Sequence, residues 1–135
     1  MKTKLFLAST LLLICAACSK SSSKPPAITL TTAMVSGYWY GTFSQGNEGQ
    51  VFNTDGTTVQ YDFYGVTSTD TANAPYKAYG NYTIKGDSII VNLTYPSLGN
   101  ETFNERALVN TTASPNTITG TYTGGQAGSY MLKKQ

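Results

Sequence analysis

Histidine is absent from all 135 residues. With it go the commonest general base, the usual nucleophile triads and the commonest ligand of zinc and copper. Cysteine is nearly absent as well. Cys15 and Cys18 both lie near the start, so the remainder of the chain can form no internal disulfide. A domain downstream must be held by packing and strand pairing alone. Charge is sparse, at 12% of residues. Beyond Lys2 and Lys4, seven basic residues stand against seven acidic ones, a formal balance of zero. Nucleic-acid binders need a basic stripe to neutralise phosphate, and this sequence has none. No apolar repeat at i, i+3, i+4, i+7 runs unbroken by Gly or Pro, so no long amphipathic helix is expected.

What apolar length there is comes first. Lys2 and Lys4 precede the run Leu5–Ile14, and Cys15-Ala16-Ala17-Cys18 follows it. The run falls short of the ~20 residues that span a bilayer. A basic start, a short apolar centre and small residues before a cut make a secretory signal. Ala16-Ala17-Cys18 resembles the lipobox of bacterial lipoproteins. That resemblance implies a signal peptide at residues 1–17 and lipid attachment at Cys18. It also implies a membrane partner engaged through N-terminal acyl chains, in the cell envelope. No acidic run directly follows Cys18, which in the sorting signals of such lipoproteins favours the outer membrane, facing the periplasm. The competing reading is ordinary secretion with a free Cys18. Residues 18–35 are read as a flexible tether, polar through Ser19–Lys24 and stiffer at Pro25-Pro26. Within it, Ala27–Val35 stays open between tether and a short docking segment.

From Ser36 onward the pattern has period two, and residues 36–135 are read as one domain. Expected strands centre on Gly37–Phe43, Val51-Phe52, Val59–Phe63, Gly80–Ile84, Ile89–Tyr95, Thr102–Asn110, Thr117–Thr123 and Ser129–Lys133. Tight turns are expected at Asn53–Gly56, Lys85–Asp87 and Ser114–Asn116, with one long loop at Gly65–Lys77. In the third strand Val59, Tyr61 and Phe63 are assigned to the core and Thr58, Gln60 and Asp62 to solvent. About eight short strands at roughly twelve-residue spacing predict an all-β, antiparallel up-and-down meander. Closing it into a small barrel removes the exposed edges; a β-sandwich is the alternative.

A glycine two residues before an aromatic recurs at Gly37/Trp39, Gly41/Phe43, Gly80/Tyr82, Gly120/Tyr122 and Gly128/Tyr130. Residues two apart share a strand face. Bare glycine backbone permits sharp coiling and can be covered by a neighbouring ring. The bland reading is therefore curvature, and the functional one an aromatic-lined cavity. Gly37-Tyr38-Trp39 resembles the Gly-x-Trp signature of calycins, the group that holds lipocalins and avidins. Asp55-Gly56-Thr57, Tyr82–Asp87 and Ile118–Tyr122 resemble runs in lipocalin-like domains of bacterial lipoproteins. The resemblance implies that Gly37 and Trp39 form a barrel floor, with Lys134 lying across the indole.

The candidate ligand-lining residues are Phe43, Tyr61, Phe63, Tyr82, Tyr122 and Glu105. Glu105 is the odd one. Burying Phe103, Ala107 and Val109 turns it inward, whereas the other register buries Arg106 and Leu108. An unpaired inward carboxylate is costly, so a bulge throwing it outward is expected; if inward, it is the first site candidate. Seven scattered carboxylates could hold a glycosidase pair, but Asp62 is expected to be solvated. Asn53-x-Asp55-Gly56 echoes a calcium loop without its distal Glu, and a turn accounts for it. No metal, cofactor or catalytic residue is assigned. Two functions are carried forward: a non-catalytic barrel binding a small hydrophobic or glycan-like ligand in the envelope, or a solid accessory or inhibitor-type interaction module with no ligand cavity. The latter would contact an envelope protein through exposed Tyr38, Tyr40 and Tyr64.

Overall fold

A computed structural model describes residues 29–44, 46–110, 116–124 and 126–135. The expected signal peptide, lipidated Cys18, first part of the tether and most of the Ser114–Asn116 turn lie outside these residues. The strands are β1 (Gly37–Phe43), β2 (Gly46–Phe52), β3 (Thr57–Asp62), β4 (Tyr76–Lys85), β5 (Ser88–Tyr95), β6 (Glu101–Asn110), β7 (Thr117–Gly124) and β8 (Gly128–Lys134). Each pairs antiparallel with the next, and β1 pairs with β8, so the meander closes into a barrel. The up-and-down barrel expected from the alternation is what forms.

The turns follow local chemistry. Asn53–Gly56 closes the β2–β3 hairpin with Asn53 N–H donating to the Thr57 carbonyl at 2.9 Å. Gly56 takes a φ of +87°, which a side chain would resist. Asp55 accepts from both the amide and the hydroxyl of Thr57, and these bonds lower its pKa. Two segments differ from expectation. Gly46–Gly49, read as loop, extends β2, and the long connection runs from Phe63 to Pro75 because Tyr76 and Lys77 already pair in β4.

Of the undecided stretch before Ser36, the described part docks. Leu30 and Val35 are buried in the core, and α1 (Thr32–Val35) is a single turn capped by the Thr31 side chain. It seals one end of the barrel. The last carbonyls of a helix lack internal partners. Here the Trp39 indole N–H donates to Val35 O at 2.7 Å, and the Lys134 ammonium donates to Met34 O at 2.9 Å. That ammonium also stands 5.5 Å from the centre of the fully buried Trp39 ring. Gly37, Trp39 and Lys134 therefore meet at the closed end as anticipated.

Cross-strand partners face the same side of a sheet, so orientation propagates around the barrel. Trp39 faces inward and pairs with Gln50; Gln50 pairs with Gln60, and Gln60 with Ala78. The chain of partners turns Thr58, Gln60 and Asp62 inward. It overturns the assignment of Val59, Tyr61 and Phe63 to the interior. Those residues stand on the outer wall: Lys77 lies 5.6 Å from the Tyr61 ring centre, and Phe63 meets Tyr40 edge-on at 6.0 Å. Phe63 is buried but belongs to this outer cluster, not the barrel core.

The glycines permit the tight coiling. A Cβ on Gly80 would sit 1.8 Å from the Asn92 carbonyl oxygen, and one on Gly41 1.9 Å from that of Met131. Both obstacles are backbone. On β7 and β8 the covering rings come from the partner strand: Tyr130 lies over Gly120, and Tyr122 over Gly128. Gly80→Ala is expected to cost about 1–3 kcal/mol, because the strand pair must separate. Gly46→Ala, whose Cβ would meet nothing nearer than 3.8 Å, is the control. Thermal denaturation of the two should give a lowered midpoint for the first alone. Equal midpoints would show that the β4–β5 approach is looser than described.

Candidate functional site

The end opposite α1 is open. There the β1–β2, β3–β4, β5–β6 and β7–β8 connections surround a cavity of about 320 Å³. The interior below it is apolar, built on Trp39, Phe52, Ile89, Ile118 and Leu132. Above, polar groups take over. Glu48 on β2, Asp62 following Gln60 on β3, and Glu101 and Glu105 on β6 all line the cavity, between the rings of Phe43, Tyr76, Tyr95, Phe103 and Tyr122.

Glu105 faces inward and is 2% exposed. The expected bulge does not occur; β6 pairs in unbroken register with β5 and β7. The regular ladder buries Phe103, Ala107 and Val109 in part or whole, and Glu105 follows by alternation. Its partners are neutral amides. Gln60 Nε2 donates to Oε1 at 3.1 Å, and Gln50 Nε2 lies 3.5 Å from Oε2. Burial pushes its pKa up to about 7, against the lowering effect of the neighbouring donors on Gln50, Gln60 and Tyr130.

The same Gln60 amide nitrogen also donates to Glu48, while its carbonyl oxygen accepts from the Tyr95 hydroxyl at 3.0 Å. Gln60 thus ties β2, β5 and β6 together across the barrel. Burial raises the Glu48 pKa well above the carboxylate range, aided by the charges of Asp62 and Glu105. Asp62 is raised as well, chiefly by burial, although the Tyr64 amide donates to it at 2.7 Å. The Tyr95 and Tyr130 hydroxyls are pushed up by burial and by these carboxylates. Among the described residues two buried polar atoms are left over: Gln50 Oε1 meets no donor, and the Tyr130 hydroxyl sits beside Glu105 without closing a well-formed hydrogen bond.

Of the anticipated lining residues, Phe43, Tyr122 and Glu105 reach the cavity. Tyr82 is interior but at the closed end, packed edge-on to Phe52 at 5.0 Å with its hydroxyl on Asn53 O. Tyr61 and Phe63 are outside, as described. Glu48, Gln60, Asp62, Tyr95 and Phe103 were missed. The available signal was parity: the Asn53–Gly56 hairpin pairs Phe52 with Thr58, so Phe52 and Val59 cannot share a face. Of the three tyrosines expected on the surface, Tyr64 is exposed. Tyr38 and Tyr40 are partly buried under the β3–β4 connection, the Tyr38 hydroxyl reaching Thr69 O at 3.4 Å.

Among the described residues no three His, Cys, Asp or Glu side chains converge closely enough to hold a metal ion. The carboxyl groups ring the cavity instead. The space between Glu48 and Glu105 is taken by the Gln60 amide. Comparison of the chain with protein-family models, with curated proteins and with solved structures finds no match.

Proposed function

We propose that this protein is a non-catalytic binding barrel of the bacterial cell envelope, tethered by lipid on Cys18 and taking one small ligand into its open end. The observation that carries the reading is the cavity of about 320 Å³. Ligand pockets begin near ~300 Å³, and a solid accessory barrel would have no such void. The lining favours a ligand that offers hydrogen bonds along with apolar surface, since carboxyl and amide groups alternate with aromatic rings. A glycosidase would need a scissile bond between two carboxyls. Glu48 and Glu105 are bridged by an amide, which leaves no place for one between that pair. The tether reading rests on the lipobox resemblance. Leu30 docks beside the β4–β5 turn at the closed end, so a tether from Cys18 would join the barrel at the end away from the cavity.

Native mass spectrometry of the full-length protein from its own membrane tests both parts. The expected species begins at Cys18, carries acyl chains and retains a noncovalent adduct. Gly46→Trp, which fills the open end without a Cβ clash, should lose the adduct and keep its melting temperature. An adduct undiminished in Gly46→Trp would place binding elsewhere, and an unacylated chain would remove the anchor.

A further inference from the structure

The sign of the charge around the cavity is uniform. Its described lining includes Glu48, Asp62, Glu101 and Glu105 and no lysine or arginine. The cations among the described residues lie off this lining. Lys134 is committed to Trp39 and Met34 at the closed end, Lys77 to Tyr61 on the outer wall, and Arg106 is exposed on the outward face of β6. Buried carboxylates are tolerated when paired, yet Glu105 is met only by neutral donors. A carboxylate accepts roughly four hydrogen bonds, so capacity remains. Beneath it, fully buried Gln50 turns its amide nitrogen to Glu105 and leaves its own carbonyl oxygen without a donor. The lining therefore offers acidic acceptors with hydrogen-bonding capacity to spare and no cationic partner among the described residues.

Two further features narrow the complement. The carboxyl groups are spread over β2, β3 and β6 and do not converge as a metal site would require. An organic cation, with several N–H groups on an apolar body, matches such a spread. Between the carboxyls stand edge-to-face or tilted ring pairs, Tyr95 with Phe103 at 5.3 Å and Phe43 with Tyr122 at 5.6 Å. Aromatic faces attract a desolvated ammonium, and apolar ring edges accommodate its carbon body.

We infer that the open end of the barrel is a site for a small organic cation, an amine whose ammonium is drawn in by the summed negative charge of Glu105, Glu48 and Asp62 and whose body lies among Phe43, Tyr95, Phe103 and Tyr122. The inference rests on the cavity being the ligand site and specifies its chemistry. Anionic ligands are rejected by like charge, and neutral ones leave the negative charge uncompensated. Binding favours the ionised form of Glu105, which burial disfavours. The titratable groups facing Glu105 from the surrounding strands are Glu48, Asp62, Tyr95, Tyr122 and Tyr130, with Tyr76 and Glu101 also on the lining. All are acidic, so cation affinity rises as pH increases through 7.

Three probes of similar shape and different charge test this: phenethylamine, 2-phenylethanol and 3-phenylpropionate, titrated calorimetrically into the intact protein. Phenethylamine should bind at least tenfold more tightly than the alcohol, and the carboxylate should not bind. The amine's advantage should shrink at least tenfold in Glu105→Gln and in Glu48→Gln, and its affinity should rise between pH 5.5 and 8. Equal binding of amine and alcohol, abolished by Gly46→Trp, would overturn the cation assignment and leave the ligand pocket standing. Binding of none of the three would also overturn it, while a retained adduct lost in Gly46→Trp would still mark the pocket as a site.

Discussion

Trp39→Ala is expected to lower stability by about 3–5 kcal/mol, the range for a buried large aromatic cut to a methyl group. For a domain of about a hundred residues this is a fall in melting temperature of roughly 15–25 °C. Several losses coincide. The indole is fully buried, so its removal forfeits apolar burial and opens a cavity at the closed end. Val35 O loses its 2.7 Å donor, and a buried carbonyl left unpaired costs about 1–3 kcal/mol if water cannot reach it. The Lys134 ammonium loses the ring over which it lies. Lys134→Met separates these contributions, because it removes the cation and its bond to Met34 O but leaves the indole in place. Its cost should be about 1 kcal/mol, from a cation–π contact and one partly buried hydrogen bond. Urea denaturation of both variants is the measurement. A Trp39→Ala cost no larger than that of Lys134→Met would mean that α1, not the indole, closes the barrel.

The second large effect is on pH dependence. In the unfolded chain Glu105 has its ordinary pKa of 4.5; in the barrel burial raises it to about 7. Between these values the folded state holds a proton that the unfolded state has released. Stability is therefore greatest below pH 4.5 as far as this residue is concerned, falls as pH rises, and has lost the full contribution above 7. A tenfold change in proton affinity corresponds to about 1.4 kcal/mol, so the loss is on the order of 3 kcal/mol. Glu48 and Asp62 are raised too and act in the same direction. Glu105→Gln should flatten the fall between pH 5 and 8 by that amount, leaving the slope due to the other two. At pH 8 the variant should be the more stable protein. The new amide can still accept from Gln60, and its N–H groups gain an acceptor in the unpartnered Gln50 Oε1. Denaturation midpoints across this pH range decide it. An unchanged slope in the variant would assign the titration to Glu48 and Asp62 alone.

A carboxyl that weakens the barrel at neutral pH fits the ligand pocket proposed above. Its burial disfavours charge until a partner supplies the complement, which is the pattern of perturbed groups at functional sites. The lower half of the same interior has no such tension. There Trp39, Tyr82 and Thr58 donate to backbone carbonyls and Ser88 donates to the Asp87 carboxylate.

The architecture was legible because a period of two is written into each strand separately. Turn residues such as Asn53–Gly56 and Lys85–Asp87 mark the hairpins locally, and the reach of a hairpin is short enough that meander order follows. Trp39, Gly37 and Lys134 could be placed together from resemblance, and the geometry at the closed end agrees. Glu105 was visible as an anomaly in an otherwise apolar face. What local pattern could not decide was which of two alternating faces turns inward where both contain polar and aromatic residues. On β3 hydrophobicity alone selects Val59, Tyr61 and Phe63. The closed ladder selects Thr58, Gln60 and Asp62, because Trp39 at one point constrains Gln50, then Gln60, then Ala78. The outer aromatics escape the resulting penalty under the β3–β4 connection, where Phe63 is 1% exposed. Strand order and turns are local quantities that the chain carries in each segment. The polar cavity depends on pairing parity summed around a ring of eight strands, and only the closed tertiary structure sets that sum.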